Sequence, residues 1–435
     1  PGTRLPSIRQ CAEHLRLSRN TIETAYQQLL AEGYLISRPR LGLFVAEIEQ
    51  DFSKQAGKAH TVFQQTSPFV PATSFRYDFR NGEIDVNHFP LAVWRRLTHQ
   101  CLTEEENHLL HYGDPQGEIG LRLEIAKYLH QSRGVKCRPE QIVIGAGIQY
   151  LLGLLCQLFQ PDISAIAVEE PGYVGAKSVF QNHRMKLYPI PLEEDGLHLG
   201  ELGSSGARAV YITPSHQFPC GMVLPIAKRI KLLQWAEAND GVIIEDDYDG
   251  EFRYYQKPIP SLQGLDHTGR VIYLGTFSKS LLPGIRMSYM ILPERLLEVY
   301  HQRFANYEQT VSRIHQRTVQ LFMEQGHWGR HIRKMRVLYQ RKLDILVDSV
   351  QQEMADWARL IGTDAGLHVL LELTRHVPLD ECLARAEQLQ VKVYPTSPLW
   401  LSPFPYQLPT LMLGYGSVPE ANIREGIRRL AKAFQ

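Results

Sequence analysis

The chain has 435 residues, more than one hydrophobic core usually organises, so two or more domains are expected. Its 44% hydrophobic and 21% charged residues are those of an ordinary globular protein, and 47 Lys plus Arg against 46 Asp plus Glu mean that any nucleic-acid surface must be local. Six scattered cysteines without a C-x-x-C pair exclude a disulfide framework and a zinc site, and with no signal peptide and no bilayer-length apolar run the expectation is a cytoplasmic protein with reduced thiols.

The first elements come at once. Ser7 is a helix N-cap before Ile8–Leu15, where Ile8, Cys11, Ala12 and Leu15 form a stripe at helical spacing. A tight turn at Arg16-Leu17 leads to Ser18, a second N-cap, and to a helix over 19–30 that buries Ile22, Ala25, Tyr26 and Leu29 before Gly33 stops it. Two helices joined so closely form a helix-turn-helix, whose second helix enters the major groove by its N-terminal residues; plain helical packing is the competing reading. Short strands at Tyr34–Ser37 and Leu43–Val45 flank Arg38-Pro39-Arg40-Leu41-Gly42, a hairpin with two arginines at its tip. On this reading Arg9, Ser18, Arg19, Asn20, Thr21, Arg38 and Arg40 supply phosphate and base-edge contacts.

The run P-G-T-R-L-P-S-x-R followed by L-S-R-N-T-I-x-x-A-Y-x-x-L-x-x-E-G-Y resembles the GntR-type winged helix over nearly all of residues 1–46. The resemblance implies a domain that binds double-stranded operators, and a further helix ahead of Pro1, so the domain is read as N-terminally incomplete. Residues 47–76, polar and Pro/Ser-rich, are read as a linker.

From residue 77 to 435, β-branched runs at 141–144, 165–168, 209–213, 241–245 and 271–274 alternate with helical stretches, which predicts an α/β domain with a mainly parallel sheet. The apolar run Tyr150–Phe159 reads as a buried helix. Ligands in such folds sit beyond the carboxyl ends of strands. Two such ends carry chemistry. Tyr273–Arg286 presents Lys279 after a strand, with hydroxyls at Thr276 and Ser278 and a later Arg286, a set suited to a phosphorylated carbonyl cofactor or else a polar surface loop. Ile244–Arg253 clusters acids after an apolar strand, where a carboxylate can pair with a pyridinium nitrogen; a solvated turn or a metal-binding acid cluster are the alternatives.

Together these segments resemble fold-type I pyridoxal-phosphate enzymes, and most closely the aminotransferase-like domain of the MocR-type regulators, over roughly residues 77–435. The resemblance implies pyridoxal 5′-phosphate in Schiff-base linkage with Lys279, and Arg286 and Thr276 on its phosphate. It implies Asp246 on the pyridine nitrogen, Tyr248 on the phenolic oxygen, and Tyr173 of E-E-P-G-Y stacked on the ring. Ala146, Gly147 and Ile148 would cradle the phosphate at a helix start. Tyr112 of H-Y-G-D-P-Q-G would reach the phosphate of a partner subunit, which implies a homodimer. No metal is expected.

The chain also departs from the family's pattern. Phe218 of Ser215-His216-Gln217-Phe218-Pro219 stands where the enzymes carry an Asn on the ring, with His216 or Gln217 as candidate replacements. Met412 in L-M-L-G-Y stands where an Arg forks onto a substrate carboxylate, a contact that a thioether cannot make. Val174 and Gly175 follow Tyr173 where γ-aminobutyrate sensors have an Arg, which disfavours that ligand. The reading is a transcriptional regulator sensing a small-molecule effector, an amino compound or pyridoxal phosphate itself; the alternative is an active aminotransferase with a residual DNA-binding module. The basic stretch 330–342 reads as the solvated face of a helix.

Overall fold

The computed structural model describes residues 1–47, 75–255, 259–402 and 408–435. They fall into two units, the described residues up to 47 and those from 75 onward. The expected linker lies, from 48 to 74, outside the described residues.

In the first unit, helices α1 (Ile8–Leu15) and α2 (Arg19–Ala31) precede an antiparallel hairpin of β1 (Leu35–Arg38) and β2 (Gly42–Val45). Local chemistry sets each boundary. The Ser7 hydroxyl accepts the Gln10 N–H at 3.2 Å while Gln10 Oε1 accepts the Ser7 N–H at 3.1 Å, a reciprocal cap. Ser18 Oγ accepts the Thr21 N–H at 3.1 Å. Past α2 the chain turns at Gly33 with φ +79°, a conformation that costs glycine nothing. Gly2 and Leu5 donate to the Val45 and Leu43 carbonyls at 2.9 and 2.8 Å, so the first residues run along β2. The core of this unit takes Ala12 from α1 and the i, i+4 pair Ile22 and Tyr26 from α2, with Leu5, Ile8, Cys11 and Leu43 packed on it. It is narrower than the stripes predicted: Leu15 and Ala25 lie outside it and are exposed.

The second unit opens with β3 (Tyr77–Asp78) and is built on an eight-stranded sheet. Its strands are β4 (Ile142–Gly145), β5 (Ala165–Glu170), β6 (Lys186–Glu193), β7 (Gly196–Leu197), β8 (Ala209–Ile212), β9 (Val242–Asp247), β10 (Val271–Thr276) and β11 (Ser288–Ile291), in the order β4-β11-β10-β9-β8-β5-β6-β7. The run β10-β9-β8-β5-β6 is parallel, and β11 is antiparallel to both its neighbours. The strands β4, β8, β9, β10 and β11 are buried on both faces, as a sheet covered by helices requires, whereas β6 near the edge is largely exposed. The helix Ile148–Phe159, rich in Leu, buries Leu151, Leu152, Leu154, Leu155 and Leu158 against the sheet.

A smaller antiparallel sheet follows, from β12 (Ala358–Ile361), β13 (His368–Leu373), β15 (Tyr394–Pro395) and β16 (Thr410–Gly414), while β14 (Val391–Lys392) pairs with β3. The helix His327–Met354 packs on this part through Met335, Tyr339 and Leu343. Its basic stretch is not wholly solvated: Lys342 is buried, donating to Asp85 Oδ2 and the Gly416 carbonyl at 2.7 Å each. Among the described residues, no helix is long and apolar enough to cross a membrane.

Candidate functional site

Strand alternation sorts the three acids that end β9. Successive side chains point to opposite faces. Glu245 and Asp247 therefore share one face, where Glu245 accepts the Leu262 and Gln263 N–H groups at 2.7 and 2.8 Å and Asp247 receives the Arg133 guanidinium at 2.6 and 3.1 Å. Asp246 alone faces a cavity of about 300 Å³ at the carboxyl ends of β8, β9 and β10. Tyr211 of β8 donates to its Oδ2 at 2.5 Å, and its Oδ1 is buried without a hydrogen-bond partner among the described residues.

Burial raises the Asp246 carboxyl from its usual 3.8 to about 7; the Tyr211 hydrogen bond opposes this and the nearby Asp247 and Asp249 add to it. An orphaned carboxylate oxygen at this depth wants a donor, and a protonated ring nitrogen is one. The shift has a consequence for the cofactor-free protein. Between pH 4 and 7 the folded state keeps a proton on Asp246 that the unfolded chain has released, so stability falls as pH rises through that window, by at most on the order of 1 kcal/mol per pH unit. Asp246→Asn should flatten this slope. Urea unfolding of the cofactor-free protein and variant at pH 5 and pH 7 measures it, and an unchanged slope would place the carboxyl's titration elsewhere.

Beyond β10, Thr276 caps the short helix Phe277–Ser280 by accepting the Ser278 N–H at 3.1 Å, and Ser288 donates to the Thr276 hydroxyl at 2.9 Å. This turn aims Lys279 into the cavity. Its amine lies so close to Gly82 that a Cβ there would come within 3.1 Å. Burial lowers the Lys279 ammonium below its usual range, against the pull of Asp249 and Glu83, which favours the neutral, nucleophilic amine. Arg286, with φ +49°, turns its guanidinium onto Gly147, where a Cβ would stand 2.3 Å from it. Gly147, at φ +96°, is the N-cap of the helix Ile148–Phe159 and supplies no side-chain cap. Among the described residues, neither Lys279 nor Arg286 has an ion-pair partner within 4.0 Å. A cationic fork beside an uncapped helix start suits a phosphate.

Tyr173, Phe218 and Tyr248 complete the walls, with Phe218 edge-on to both tyrosines at 6.1 Å. The predicted residues Ile148, Tyr173, Asp246, Tyr248, Thr276, Ser278, Lys279 and Arg286 thus converge on one cavity from elements far apart in the chain. Others sit differently. The Ala146 N–H donates to Thr310 Oγ1 at 3.2 Å and the Gly147 N–H to the Gly145 carbonyl at 2.8 Å, so the cavity wall at the helix start is Ile148 and Gln149. His216 stands behind Tyr248, and Tyr112 is 86% exposed. The sequence reading missed Tyr211, Asn81 and Gly82. Tyr211, inside an apolar strand, had only its alternation with buried neighbours to mark it. Two of the three departures also meet in space: Phe218 and Met412 pack in one apolar cluster with Cys220, Leu370 and Leu399.

In the first unit, Arg9, Ser18, Arg19, Asn20, Thr21, Arg38 and Arg40 are all exposed. Ser18 and Thr21 spend their hydroxyls on each other at 2.8 Å, and Arg9 pairs with Glu13 at 3.1 Å. Arg19 and Asn20 are left at the open end of α2, and Arg38 stacks on Phe44 at 4.7 Å beside Arg40, whose φ of +64° makes the hairpin turn.

A mainly parallel sheet with Lys279, Asp246 and Arg286 around one cavity at its strand ends defines a fold-type I transferase-like unit, joined in this chain to a winged helix-turn-helix. Residues 1–45 match the bacterial regulatory proteins of the gntR family, and residues 78–409 match aminotransferase class I and II. The second unit resembles the crystal structure of the multiple substrate aminotransferase of Thermococcus profundus, with a TM-score of 0.74 and 26% identity over 84% of this chain and 92% of that one. The whole chain is 44% identical to the HTH-type transcriptional regulator YdeL of Bacillus subtilis strain 168, covering 100% of this chain and 92% of the relative. It is 35% identical to the probable rhizopine catabolism regulatory protein MocR of Rhizobium meliloti, covering 99% and 89%. The chain belongs to this family of HTH-type transcriptional regulators, in which a gntR-family segment is fused to an aminotransferase-like domain. Regulators of the gntR family bind DNA, and the aminotransferase fold implies pyridoxal phosphate.

Proposed function

We propose that residues 77–435 hold pyridoxal phosphate on Lys279 and that the ligand state of this cavity sets the affinity of the DNA-binding segment, residues 1–46, acting through the linker 47–76. The observation that carries the reading is that Asp246, whose buried Oδ1 has no hydrogen-bond partner among the described residues, lines the same cavity as Lys279 and Arg286, which have no ion-pair partner among them. When bound, the cofactor supplies a carbonyl that an amine can take up and a ring that draws electrons. Arg286, the helix start at Ile148, Thr276 and Ser278 hold the phosphate. Asp246, fixed by Tyr211, accepts from the ring nitrogen; Tyr248 donates to the ring's phenolic oxygen, and Tyr173 covers one ring face. Arg19 and Asn20 read base edges while Arg9, Arg38 and Arg40 fix the backbone and the Ser18–Thr21 pair shapes the helix start that meets the DNA, in the cytoplasm where the operator is found. The exposed Tyr112 serves the site of a second copy in a homodimer.

The effector is an amino compound or pyridoxal phosphate itself. An apolar cluster of Phe218, Met412, Leu370 and Leu399 beside the cavity favours a ligand that is not anchored there by a carboxylate. Fluorescence anisotropy of the chain on its own upstream DNA, with and without pyridoxal phosphate, tests the proposal. Specific binding that shifts with the cofactor supports it. Specific binding indifferent to the cofactor moves the signal to another ligand at Lys279. No specific binding, with turnover of an amino donor, replaces the regulator by the working aminotransferase.

A further inference from the structure

Behind the cavity wall lies a buried group that the roles above do not use. His216 and Asp249 are each 3% exposed, and Asp249 Oδ2 lies 2.8 Å from His216 Nδ1. The same Nδ1 lies 3.0 Å from the Tyr248 hydroxyl. Gly366, at φ +77°, makes room for the pair: a Cβ there would come within 2.2 Å of His216 Cε1 and 2.6 Å of Asp249 Oδ2. Also near His216 are His368, with ring centres 5.5 Å apart, Arg253, which donates to the adjoining Ser215 carbonyl at 3.2 Å, and Gly221, where a Cβ would stand 3.2 Å from Nε2. His368 donates from Nε2 to the Pro219 carbonyl at 3.0 Å, and burial lowers its imidazolium to about 4, so it stays neutral.

One nitrogen cannot satisfy two opposite demands. A carboxylate only accepts, so Asp249 requires a proton on His216 Nδ1. With that proton in place, the Tyr248 oxygen can only accept from His216, and its own proton must point elsewhere. In the other tautomer, a lone pair on Nδ1 would face the Asp249 carboxylate at 2.8 Å, and the Nε2 proton would be buried with no partner among the described residues.

We infer that Asp249 and His216 are positioning residues that lock Tyr248 as a hydrogen-bond donor into the cavity, toward an anionic oxygen on the ring of the bound cofactor. Tyr248 keeps its proton throughout, because burial first, and the Asp249 and Asp246 carboxylates after it, push its phenol well above the usual range. The inference rests on the cofactor reading of the cavity and adds the device that orients one of its walls. Without the lock, the Tyr248 proton can turn back onto Nδ1, and the ring oxygen loses its donor.

The test is the visible absorption of the full chain loaded with pyridoxal phosphate, titrated with pH, because the midpoint of that band reports proton gain at the linkage to Lys279. An anionic ring oxygen without a donor holds that proton more tightly, so Tyr248→Phe should raise the midpoint by roughly one pH unit. Asp249→Leu, which removes the carboxylate without leaving an amide oxygen to accept in its place, should raise it in the same direction, and the double variant should move no further than Tyr248→Phe alone. His216→Phe, which removes both ring nitrogens at similar volume, takes away the competing acceptor together with the lock, so it should leave the midpoint at the wild-type value, and a shift as large as that of Tyr248→Phe would overturn the inference even if Asp249→Leu does not fold. A wild-type midpoint in a folded, loaded Asp249→Leu protein, or full additivity in the double variant, overturns the inference while leaving the cofactor reading intact. No visible band in the loaded wild type overturns both.

Discussion

Lys279→Ala should leave the protein folded and unable to retain pyridoxal phosphate. The amine sits in a cavity where burial already disfavours its charge, and it has no ion-pair partner among the described residues, so truncation breaks no buried pair and leaves the cofactor-free fold as stable as before. What is lost is the only primary amine among the described residues lining the cavity. Arg286, the helix start and Asp246 would still bind the cofactor without a covalent link. Its affinity should therefore fall by about a hundredfold or more, on the order of 3 kcal/mol, rather than vanish. Dialysis followed by absorbance measures retention, and anisotropy on the operator should show the cofactor's effect on DNA binding abolished at concentrations that saturate the wild type. A Lys279→Ala protein that keeps the cofactor and its DNA response would remove this lysine from the proposed mechanism.

The second large effect belongs to the first unit. Asn20 stands exposed at the start of α2, next to hydroxyls that are spent on capping, and Asn reads adenine through paired hydrogen bonds. Asn20→Ala should cost about 1–3 kcal/mol on the operator and relax sequence preference at one position. The hairpin arginines should behave differently. Replacing Arg38 and Arg40 by Ala should weaken binding to all sequences alike and lower the slope of log K against log salt by about 2, one for each phosphate that no longer has an arginine beside it. Anisotropy on operator and scrambled DNA across a salt series separates the two classes. Equal losses on both DNAs for Asn20→Ala would assign that side chain to the backbone instead.

Much of this was legible in the sequence because it rests on local rules. Ser7 and Ser18 announced their helices, since a capping hydroxyl needs only the next three residues. The runs that became β4, β5, β8, β9 and β10 were readable because strands buried on both faces are nearly continuous in apolar residues. Lys279 and the acids after the 242–245 run could be noticed because they lie at or just past a strand's carboxyl end, where parallel sheets bind ligands, and Arg286 because it follows Lys279 by seven residues; the resemblance to fold-type I enzymes then assigned Lys279, Asp246 and Arg286 their roles.

The tertiary structure decided what sequence separation hides. Nothing near residue 211 tells that its hydroxyl meets Asp246, 35 positions on, because β8 and β9 become neighbours only in the sheet. Of the acids 245–247 the resemblance pointed to Asp246; the pairing of β9 with β8 and β10 supplies the reason, turning Asp246 to the cavity and giving Asp247 to Arg133. Phe218 and Met412 looked like two unrelated departures until packing put them in one cluster. Lys342 looked like a solvated base until Asp85 and Gly416 closed over it. The division has a physical cause. Caps, turns and strand burial are fixed by chain neighbours, whereas a hydrogen bond between distant side chains exists only once the sheet and its packing have brought them together.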